Sequence, residues 1–381
     1  MPRKNLYRCF FLLLGASLII FTNGCTQTSI TYGIVGSPAI SNNGKLVTVL
    51  VAESKATTRQ ENGGYRSSSY NSSYWIKQYE TATGKLVRKK KIIAAAEKMN
   101  MLPLCYGGYA DKIWLHTSGL AAYDITTLEE VANEEMLLKQ NNFDANNFPI
   151  DQRFIDEKVA DGYIRFTAMD GEKYRIDIST LKITSENEIA KNTTTPQYEM
   201  LHKIIYGVRN DTMNEKMYIL AKDSATAMNS RPDNSDNEAI YKRLYLFAAS
   251  YTTSKIGNHI FFRYSSMKKF PGTSYLNGIF LKDFKTNKIV QLQKPGAYII
   301  LHNDSLTNEA NSILTAIDEN NHTLWQINTG LSTKLANCIV KNNYCIITGN
   351  KHYLLSPHIG SDMLCVINMQ TGKMATPSVK E

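Results

Sequence analysis

A short polar turn recurs along the chain and restricts the folds that this sequence can adopt. YETATGK at residues 79–85 is nearly repeated by INMQTGK at residues 367–373. Both follow one template: an apolar strand, an acidic or small polar residue, two variable positions, Thr, a turn residue and Lys. The template occurs seven times, and its polar first positions are Glu80, Asp124, Asp177, Ser250, Asp283, Asp318 and Asn368.

These polar side chains suit a structural role in the turns. Asp, Asn and Ser accept hydrogen bonds from backbone N–H groups two or three residues later and thereby stabilise a tight reversal. Gly84, Gly372 and Asn287 stand where such a turn requires a positive φ. Because the placement is the same in every copy, we interpret these residues as turn formers, and we predict no catalytic residue and no metal site.

The spacing of the turns predicts the fold class. The copies are separated by about 48 residues on average, and the segments between them alternate apolar and polar residues, as in KLVTVLVA. Periods of about 40–50 residues built from short strands are typical of β-propellers. The sequence therefore predicts an all-β fold, a seven-bladed β-propeller of four-stranded antiparallel blades, over residues 33–381. We expect residues 29–35 to close it by pairing with the last repeat.

Two long polar stretches interrupt the repeats. Residues 53–73 and 222–239 separate strands within the first and fourth repeats, and they are predicted to be loops between the second and third strands of a blade. Such lengthening costs little free energy, about 0.6 kcal/mol per doubling. In a propeller these loops share a face with the crossovers near residues 132–153 and 185–200. The repeated turns are expected on the opposite face.

The candidate ligand-binding residues lie in or beside the first of these stretches. They are Tyr65, Arg66, Tyr70 and Tyr74. Loops rich in Tyr, Ser, Gly and Asn make adaptable contacts at low entropic cost. The same composition fits a polar loop without a ligand equally well.

The N-terminus resembles an export signal. A basic segment, MPRKNLYR, precedes the 13-residue apolar run CFFLLLGASLIIF, which has signal-peptide length and is short for a membrane span. TNGC, which ends at Cys25, resembles the processing site of bacterial lipoproteins, although Thr22 stands where these sites usually carry Leu. The resemblance implies a signal peptide at residues 1–24, a lipid on Cys25 and a linker at residues 25–32. The alternative is an uncleaved membrane anchor.

The residue after the modified cysteine bears on localisation. Thr26 stands where an aspartate would be the usual retention signal of such lipoproteins. The resemblance therefore implies a lipoprotein of the bacterial outer membrane that faces the periplasm and is held to the membrane by its lipid.

Charge and cysteine content add two expectations. The formal net charge is +9, and the basic run at residues 88–91 is interpreted as a solvated edge strand, so no nucleic-acid partner is expected.

If Asn342 and Asn343 form a two-residue turn, Cys345 faces Val340 and Cys338 lies diagonally off. The pairing among the four cysteines of the mature chain stays open; these are Cys105, Cys338, Cys345 and Cys365.

One repeat carries a more specific likeness. The segment ILTAIDENNHTLWQINTG, residues 313–330, resembles a repeat of the quinoprotein-type propellers, and the matching residues are Leu314, Ala316, Asp318, Leu324 and Trp325. These propellers include quinone-dependent dehydrogenases and a lipoprotein scaffold of outer-membrane protein assembly. The chain has no adjacent cysteine pair and no cluster of Glu, Asn and Asp that matches a quinone and calcium site, so no catalytic residue is carried over.

These features together predict a lipid-anchored periplasmic β-propeller that acts as a non-catalytic binding or scaffold protein. The expected partners are the membrane, through the lipid, and an envelope protein, and no cofactor is predicted. The alternative is a quinoprotein-like enzyme, or a cofactor or carbohydrate binder, that uses the central channel of the propeller. The sequence does not specify a small-molecule ligand.

Overall fold

The fold consists almost entirely of antiparallel β-sheet. The computed structural model describes residues 26–60, 66–93, 103–117, 119–149, 155, 162–187, 207–209, 216–221, 243–256, 259–286, 288–294, 296–307, 309–332, 335–351 and 361–380. These ranges contain 23 strands in five sheets and one helix. The arrangement is compatible with a propeller. The described sheets number five, whereas seven blades were predicted.

The first two sheets follow each other along the chain. The first has the order β1-β3-β4-β5, with β2 paired to β3. Its strands are β1 (Thr26–Ile34), β2 (Ala39–Ile40), β3 (Leu46–Gln60), β4 (Arg66–Glu80) and β5 (Leu86–Ile93). The second sheet has its strands in chain order. They are β6 (Leu104–Tyr109), β7 (Lys112–His116), β8 (Leu120–Asp124) and β9 (Glu130–Asn133).

The remaining sheets also keep their strands in chain order. The third contains β10 (Tyr163–Thr167), β11 (Lys173–Asp177) and β12 (Ile183–Ser185). The fourth contains β13 (Gly207–Arg209), β14 (Lys216–Ala221), β15 (Arg243–Ile256), β16 (His259–Phe280), β17 (Tyr298–Asn303), β18 (Asn311–Ile317) and β19 (Thr323–Ser332). The fifth contains β20 (Leu335–Lys341), β21 (Tyr344–Gly349), β22 (Met363–Asn368) and β23 (Met374–Ala375).

The helix α1 (Glu134–Asn141) lies in the crossover between the second and third sheets. Asn133 caps it, because its side chain accepts a hydrogen bond from Met136 N. At the other end, the Asn141 amide donates to Leu181 O at 2.8 Å, beside the Asp177 turn. This crossover therefore reaches the repeated-turn end of the third sheet. The prediction that it would lie on the opposite face is wrong for this part of the crossover.

Apolar clusters pack neighbouring sheets against one another. One cluster joins the first and second sheets, a second joins the second and third, and a third joins the fourth and fifth. A further cluster brings Val49 and Tyr79 of the first sheet against Ile346 and Val366 of the fifth. The sheets at the two ends of the described chain therefore share a core.

The backbone also joins the two ends of the chain. Ile34 and Ser361 exchange N–H···O hydrogen bonds of 2.6 and 3.0 Å. The buried Lys77 ammonium donates to Val379 O at 2.7 Å, and Tyr79 OH donates to Ser378 O at 3.0 Å. The predicted closure, in which residues 29–35 pair with the last repeat, is wrong apart from this isolated bridge. β1 pairs with β3 in the first sheet, and the fifth sheet takes its last strand, β23, from the C-terminal tail.

Five of the seven repeated polar residues accept hydrogen bonds from two backbone N–H groups each. The distances are 2.7 to 3.1 Å, and the acceptors are Asp124, Asp177, Asp283, Asp318 and Asn368. At Glu80 the carboxylate instead accepts from the Thr83 hydroxyl at 2.5 Å. The positive φ of the template occurs at Gly84 and Gly372, and Asn287 lies outside the described residues.

Ser250 does not form a turn. It lies within β15, opposite Lys216 of β14 and Ser266 of β16. The pairing of β15 with β16 continues for six further residues to Ile256 and His259. The segment is rich in Thr, Tyr and Phe, which favour strands, so a serine in the template position did not suffice to reverse the chain.

Side chains from a neighbouring sheet pack against two turn glycines. Trp325 of β19 donates its indole N–H to Met369 O at 2.9 Å, and its ring lies where a Cβ on Gly372 would approach within 2.7 Å. Gly84 receives Ala375 and Pro377 in the same way. A larger residue at Gly372 would displace the tryptophan, so this turn also fixes the packing of the fourth sheet on the fifth.

The basic run at residues 88–91 lies on β5, which is the edge strand of the first sheet, as predicted. Arg88 Nη1 donates to Thr126 O at 2.6 Å and Lys90 Nζ donates to Leu128 O at 2.8 Å. Two of the four cations thus bind the Asp124 turn of the second sheet, and the run is more than a solvated edge.

We expect Asp177→Ala to lower the free energy of unfolding by about 1 kcal/mol at pH 7, because two backbone N–H groups lose their acceptor. Hydrogen bonds from Thr180 and Ser179 hold the pKa of Asp177 below its ordinary value, so this stabilisation is present above the unfolded-state pKa. It should disappear as the pH falls through the folded-state pKa. Urea unfolding at pH 7 and pH 3 measures both effects.

Asp177→Asn serves as the matched control, because the amide oxygen keeps an acceptor at the same position. It should retain most of the stability. An Asn variant as unstable as the Ala variant would contradict the turn assignment.

Candidate functional site

A cleft lies where β2 of the first sheet and the first strands of the second and fifth sheets, β6 and β20, meet the Asp283 turn. Its volume is about 460 Å³, which is within the range of small-molecule sites. Its lining comes from the ends of β2, β6 and β20 and from that turn. The lining residues are Ile40, Asn42, Gly108, Tyr109, Ala110, Asp283, Lys285, Thr286, Ile339, Val340 and Lys341. We call it the Lys285 cleft.

The cleft opens at the end of the sheets that carries the repeated turns. In the first sheet, Thr81 N donates to Lys45 O, so the β2–β3 connection lies beside the Glu80 turn. In the second, Ile125 N donates to Asp111 O, beside the Asp124 turn. The residues that follow β2 and β6 line the cleft at this end. The prediction that binding groups gather on the opposite face did not anticipate this site.

Asp283 fixes the position of the turn against β20. Its Oδ1 accepts from Lys285 N at 2.9 Å and from the Thr286 N–H and hydroxyl at 2.8 and 3.1 Å. Its Oδ2 accepts from Val340 N at 2.7 Å, while Phe284 N donates to Cys338 O at 2.8 Å. Four donors saturate the carboxylate, and the turn is attached to the fifth sheet through two backbone groups.

Lys285 extends from this turn towards β6. Its Nζ donates to Gly108 O at 3.2 Å. Gly107 has a φ of +102° and lies at a break in the β6–β7 register, and a Cβ there would stand 2.6 Å from Lys285 Nζ. The glycine therefore supplies both the backbone conformation and the space that the lysine needs.

Burial lowers the pKa of the Lys285 ammonium to about 8. The charge of a Cys105 thiolate and the charge of Asp283 favour the charged form, whereas Lys341 disfavours it; with Cys105 protonated, Asp283 is the favourable charge that remains. Removal from water destabilises a charged group more than these neighbours restore. Near neutral pH, Lys285 is therefore a poorly solvated cation with an appreciable neutral fraction.

Lys341 forms the other basic wall of the cleft. Its Nζ donates to Asn42 Oδ1 at 2.6 Å and to Ile40 O at 3.1 Å, and burial lowers its pKa. Asn42 in turn donates from its backbone N–H and its side-chain amide to the two oxygens of Asp111, both at 2.6 Å. These contacts tie the first, second and fifth sheets together at the mouth of the cleft.

The cysteines near the cleft are buried thiols. The Cys105 thiol donates to Ser37 O at 2.9 Å, and burial raises its pKa to about 12. Cys345 pairs with Val340, and Cys338 lies diagonally off, as predicted for an Asn342–Asn343 turn. The Cys338 and Cys345 sulfurs are 3.7 Å apart, and the four described cysteines are free.

Among the predicted ligand-binding residues, Tyr74 is the one whose side chain the structure describes. Cys25 and Tyr65 lie outside the described residues, and Arg66 and Tyr70 lie on β4. Tyr74 is 2 % exposed and belongs to the core between the first and second sheets. It is therefore a core residue and not a ligand-binding one, because the strand continues through the stretch that had been predicted to be a loop.

A second cavity, of about 320 Å³, lies in the fourth sheet and includes Arg243, His302 and Asp304. His302 contacts Thr315 Oγ1 through Nε2 at 2.8 Å and Asn303 O through Nδ1 at 3.1 Å. Both ring nitrogens are occupied, and burial lowers its pKa. The histidine therefore has a structural role in this cavity.

The described part of the chain lacks two features. It contains no group of three or more His, Cys, Asp and Glu residues placed to hold a metal ion. Its helix content offers no segment of the length and apolar character that a membrane crossing requires.

Comparisons with known proteins give only distant similarities. No protein-family model matches the chain, and no curated protein matches it. One similar solved structure is a chain of the S. cerevisiae complex of a Dbp5 variant with Nup159, a Gle1 variant, IP6 and ADP. It has 8% identity, covers 93% of this chain and 80% of that chain, and has a TM-score of 0.21.

A second similar structure is a quinoprotein alcohol dehydrogenase-like protein from Bacteroides thetaiotaomicron. It has 10% identity, covers 93% of this chain and 92% of that chain, and has a TM-score of 0.21. At these values we draw no conclusion about function from either structure.

The contact between Gly107 and Lys285 can be tested by stability. Gly107→Ala should lower the free energy of unfolding by about 1–2 kcal/mol more than Gly171→Ala, because it adds a collision with Lys285 to the strain of a positive φ. Gly171 is the matched control, since its φ is +85° and no atom lies within 4 Å of the added Cβ.

In a Lys285→Ala background the collision is absent, so the two glycine variants should become nearly equal in cost. Urea unfolding of the three single variants and the two double variants measures the coupling. Equal costs for Gly107→Ala with and without Lys285 would show that the lysine does not occupy this position.

Proposed function

We propose that this chain is a lipid-anchored envelope protein with a propeller-like fold, and that it binds a partner protein without catalysis through an extension of its first sheet. The extension consists of residues 53–60 of β3 paired with residues 66–73 of β4, and we call it the ribbon. The partner is recognised by strand addition.

The observation that carries this proposal is an open strand edge. β4 pairs with β5 only from Tyr74 to Tyr79, whereas it pairs with β3 from Glu80 to Arg66. In the part of the chain that the structure describes, residues 66–72 therefore have a neighbouring strand on one side alone. Unpaired backbone N–H and C=O groups at such an edge can accept an additional strand.

The sequence of this edge favours the addition of a partner strand, because it lacks the features that usually prevent such addition. Residues 66–72 read RSSSYNS, with a single charge and no proline. Exposed edges that must avoid association usually carry lysine, proline or a bulge. The β3–β4 register is continuous along the ribbon, without a bulge.

The opposite edge of the ribbon links it to the proposed anchor. β1 pairs with β3 from Thr26–Arg59 to Ile34–Val51, and Thr26 follows the Cys25 that we propose to be lipidated. The outer-membrane and periplasmic assignment rests on the resemblance of residues 1–25 to lipoprotein signals. The ribbon would then stand close to the membrane attachment.

The propeller we propose has six blade-like units. The fourth sheet contains two four-stranded runs, β13–β16 and β16–β19, that share β16. Together with the other sheets, and with Ile155 bridged to Phe166 beside β10, they give six units. Neither Ser250 nor Asp283 lies in the turn between the last two strands of such a unit.

The alternative of an enzyme or a cofactor or carbohydrate binder in a central channel has less support. In a propeller the first strands of the blades line the axis. Between β2, β6 and β20 that space receives the Asp283 turn, which bonds to Val340 N, Cys338 O and Gly108 O. The turn occupies part of this space, and the Lys285 cleft of about 460 Å³ lies beside it.

Trimming the ribbon tests the proposal. Residues 54–72 are replaced by Asn-Gly between Glu53 and Ser73, which already face each other and suit a two-residue hairpin turn. In affinity capture from envelope extract with quantitative mass spectrometry, the trimmed protein should lose a partner that the intact protein retains.

The extension of β15 and β16 provides a matched control. Residues 252–263 are replaced by Asn-Gly between Tyr251 and Tyr264, which are also paired. This variant should keep the partner. Capture of the same partners by all three proteins would contradict a role for the ribbon.

A further inference from the structure

The Lys285 cleft contains positive charge that the protein itself satisfies only in part. A lysine ammonium has three N–H donors, and among the described residues the one hydrogen-bond acceptor for Lys285 Nζ is Gly108 O. The charge of Asp283 favours the charged form of Lys285, but the oxygens of Asp283 accept from four donors of the turn and of β20 and not from Lys285 Nζ. A partly buried cation with one neutral acceptor favours an anionic partner.

A second cation faces the same space. Lys341 lines the cleft, and its charge lowers the pKa of Lys285. Its acceptors are the carbonyl of Ile40 and the amide oxygen of Asn42, both uncharged. Two ammonium groups that repel each other across a cleft are both stabilised when an anion lies between them.

Apart from Asp283 and Asp111, whose charges favour the charged forms of Lys285 and Lys341, the other walls are neutral. Tyr109, Ile40 and Ile339 contribute apolar and aromatic surface. Asp111 is engaged by the two N–H donors of Asn42. The Cys105 thiol, which faces Lys285 from β6, stays protonated near neutral pH because burial raises its pKa to about 12.

We propose that the Lys285 cleft binds a small organic anion that carries at least two carboxylate groups, one for each of Lys285 and Lys341. The volume of about 460 Å³ accommodates a ligand of this size. The apolar wall distinguishes an organic ligand from an inorganic one. Gly107 is a positioning residue in this site, because it makes room for Lys285.

This site is separate from the partner-binding function of the ribbon. The ribbon extends from the end of the first sheet opposite to the Glu80 turn, whereas the cleft lies at the end with the repeated turns. The ribbon-trimmed variant should bind the anion as the intact protein does. Each proposal can therefore fail in its own test while the other one stands.

Isothermal titration calorimetry with citrate, acetate and inorganic phosphate tests the proposal on the intact chain. Citrate should bind more tightly than acetate or phosphate. Lys285→Met and, separately, Lys341→Met should each weaken citrate binding by about ten-fold or more, which is the usual effect of losing a hydrogen bond to a charged group.

Lys288→Met is the matched control. Lys288 lies on the same turn, is exposed and does not line the cleft, so citrate affinity should stay unchanged. Thermal unfolding of each variant without ligand establishes that it is folded. If one of the two lysine variants does not fold, the other one still tests the proposal.

The pH dependence supplies a second readout. Lys285 must be protonated to hold the anion, and its pKa in the free protein is about 8. Citrate affinity should therefore fall roughly ten-fold between pH 7 and pH 9, and this decrease should be absent in Lys285→Met. Unchanged affinity in both lysine variants, no citrate binding at millimolar concentration, or tighter binding of phosphate than of citrate would each overturn the proposal.

Discussion

The carboxylate of Asp283 holds the Lys285 cleft together. Three of its four donors belong to its own turn, and the fourth, Val340 N, belongs to β20. The carboxylate thus converts a local reversal into a contact with another sheet, from which Lys285 reaches the Gly108 carbonyl on β6. β2, β6 and β20 border one cleft because the Asp283 turn lies between them. The position of this turn also removes the Lys285 ammonium from water.

Local hydrogen bonding explains what could be predicted from the sequence. An Asx side chain and the two N–H groups that follow it are close along the chain, so the repeated motif identified the turns at Asp124, Asp177, Asp318 and Asn368. The same motif could not show which strands a turn joins. Asp283 has the hydrogen bonds of the template but lies among first strands, and Ser250 lies in a strand because pairing with β16 outweighs a weak turn former.

The cleft could not be predicted from the sequence, because contacts between residues far apart in the chain form it. Gly108 and Lys285 are 177 residues apart in the chain. One signal was present, since the Asp283 turn stands at unusually short intervals from its neighbours and so lacks the residues for a complete four-stranded unit. The ribbon was missed for a different reason: a Ser-rich stretch has the composition of a loop, yet backbone pairing with β3 extends it as a strand.

The central claim is that Lys285 is a desolvated cation in the cleft, and its titration tests this most directly. Protein labelled with ¹³C at lysine Cε can be followed by NMR from pH 6 to pH 11, with Lys285→Met assigning the resonance. The account predicts one lysine that titrates near pH 8 and is missing from the variant. Titration of every lysine near the ordinary value of about 10.4 would contradict it.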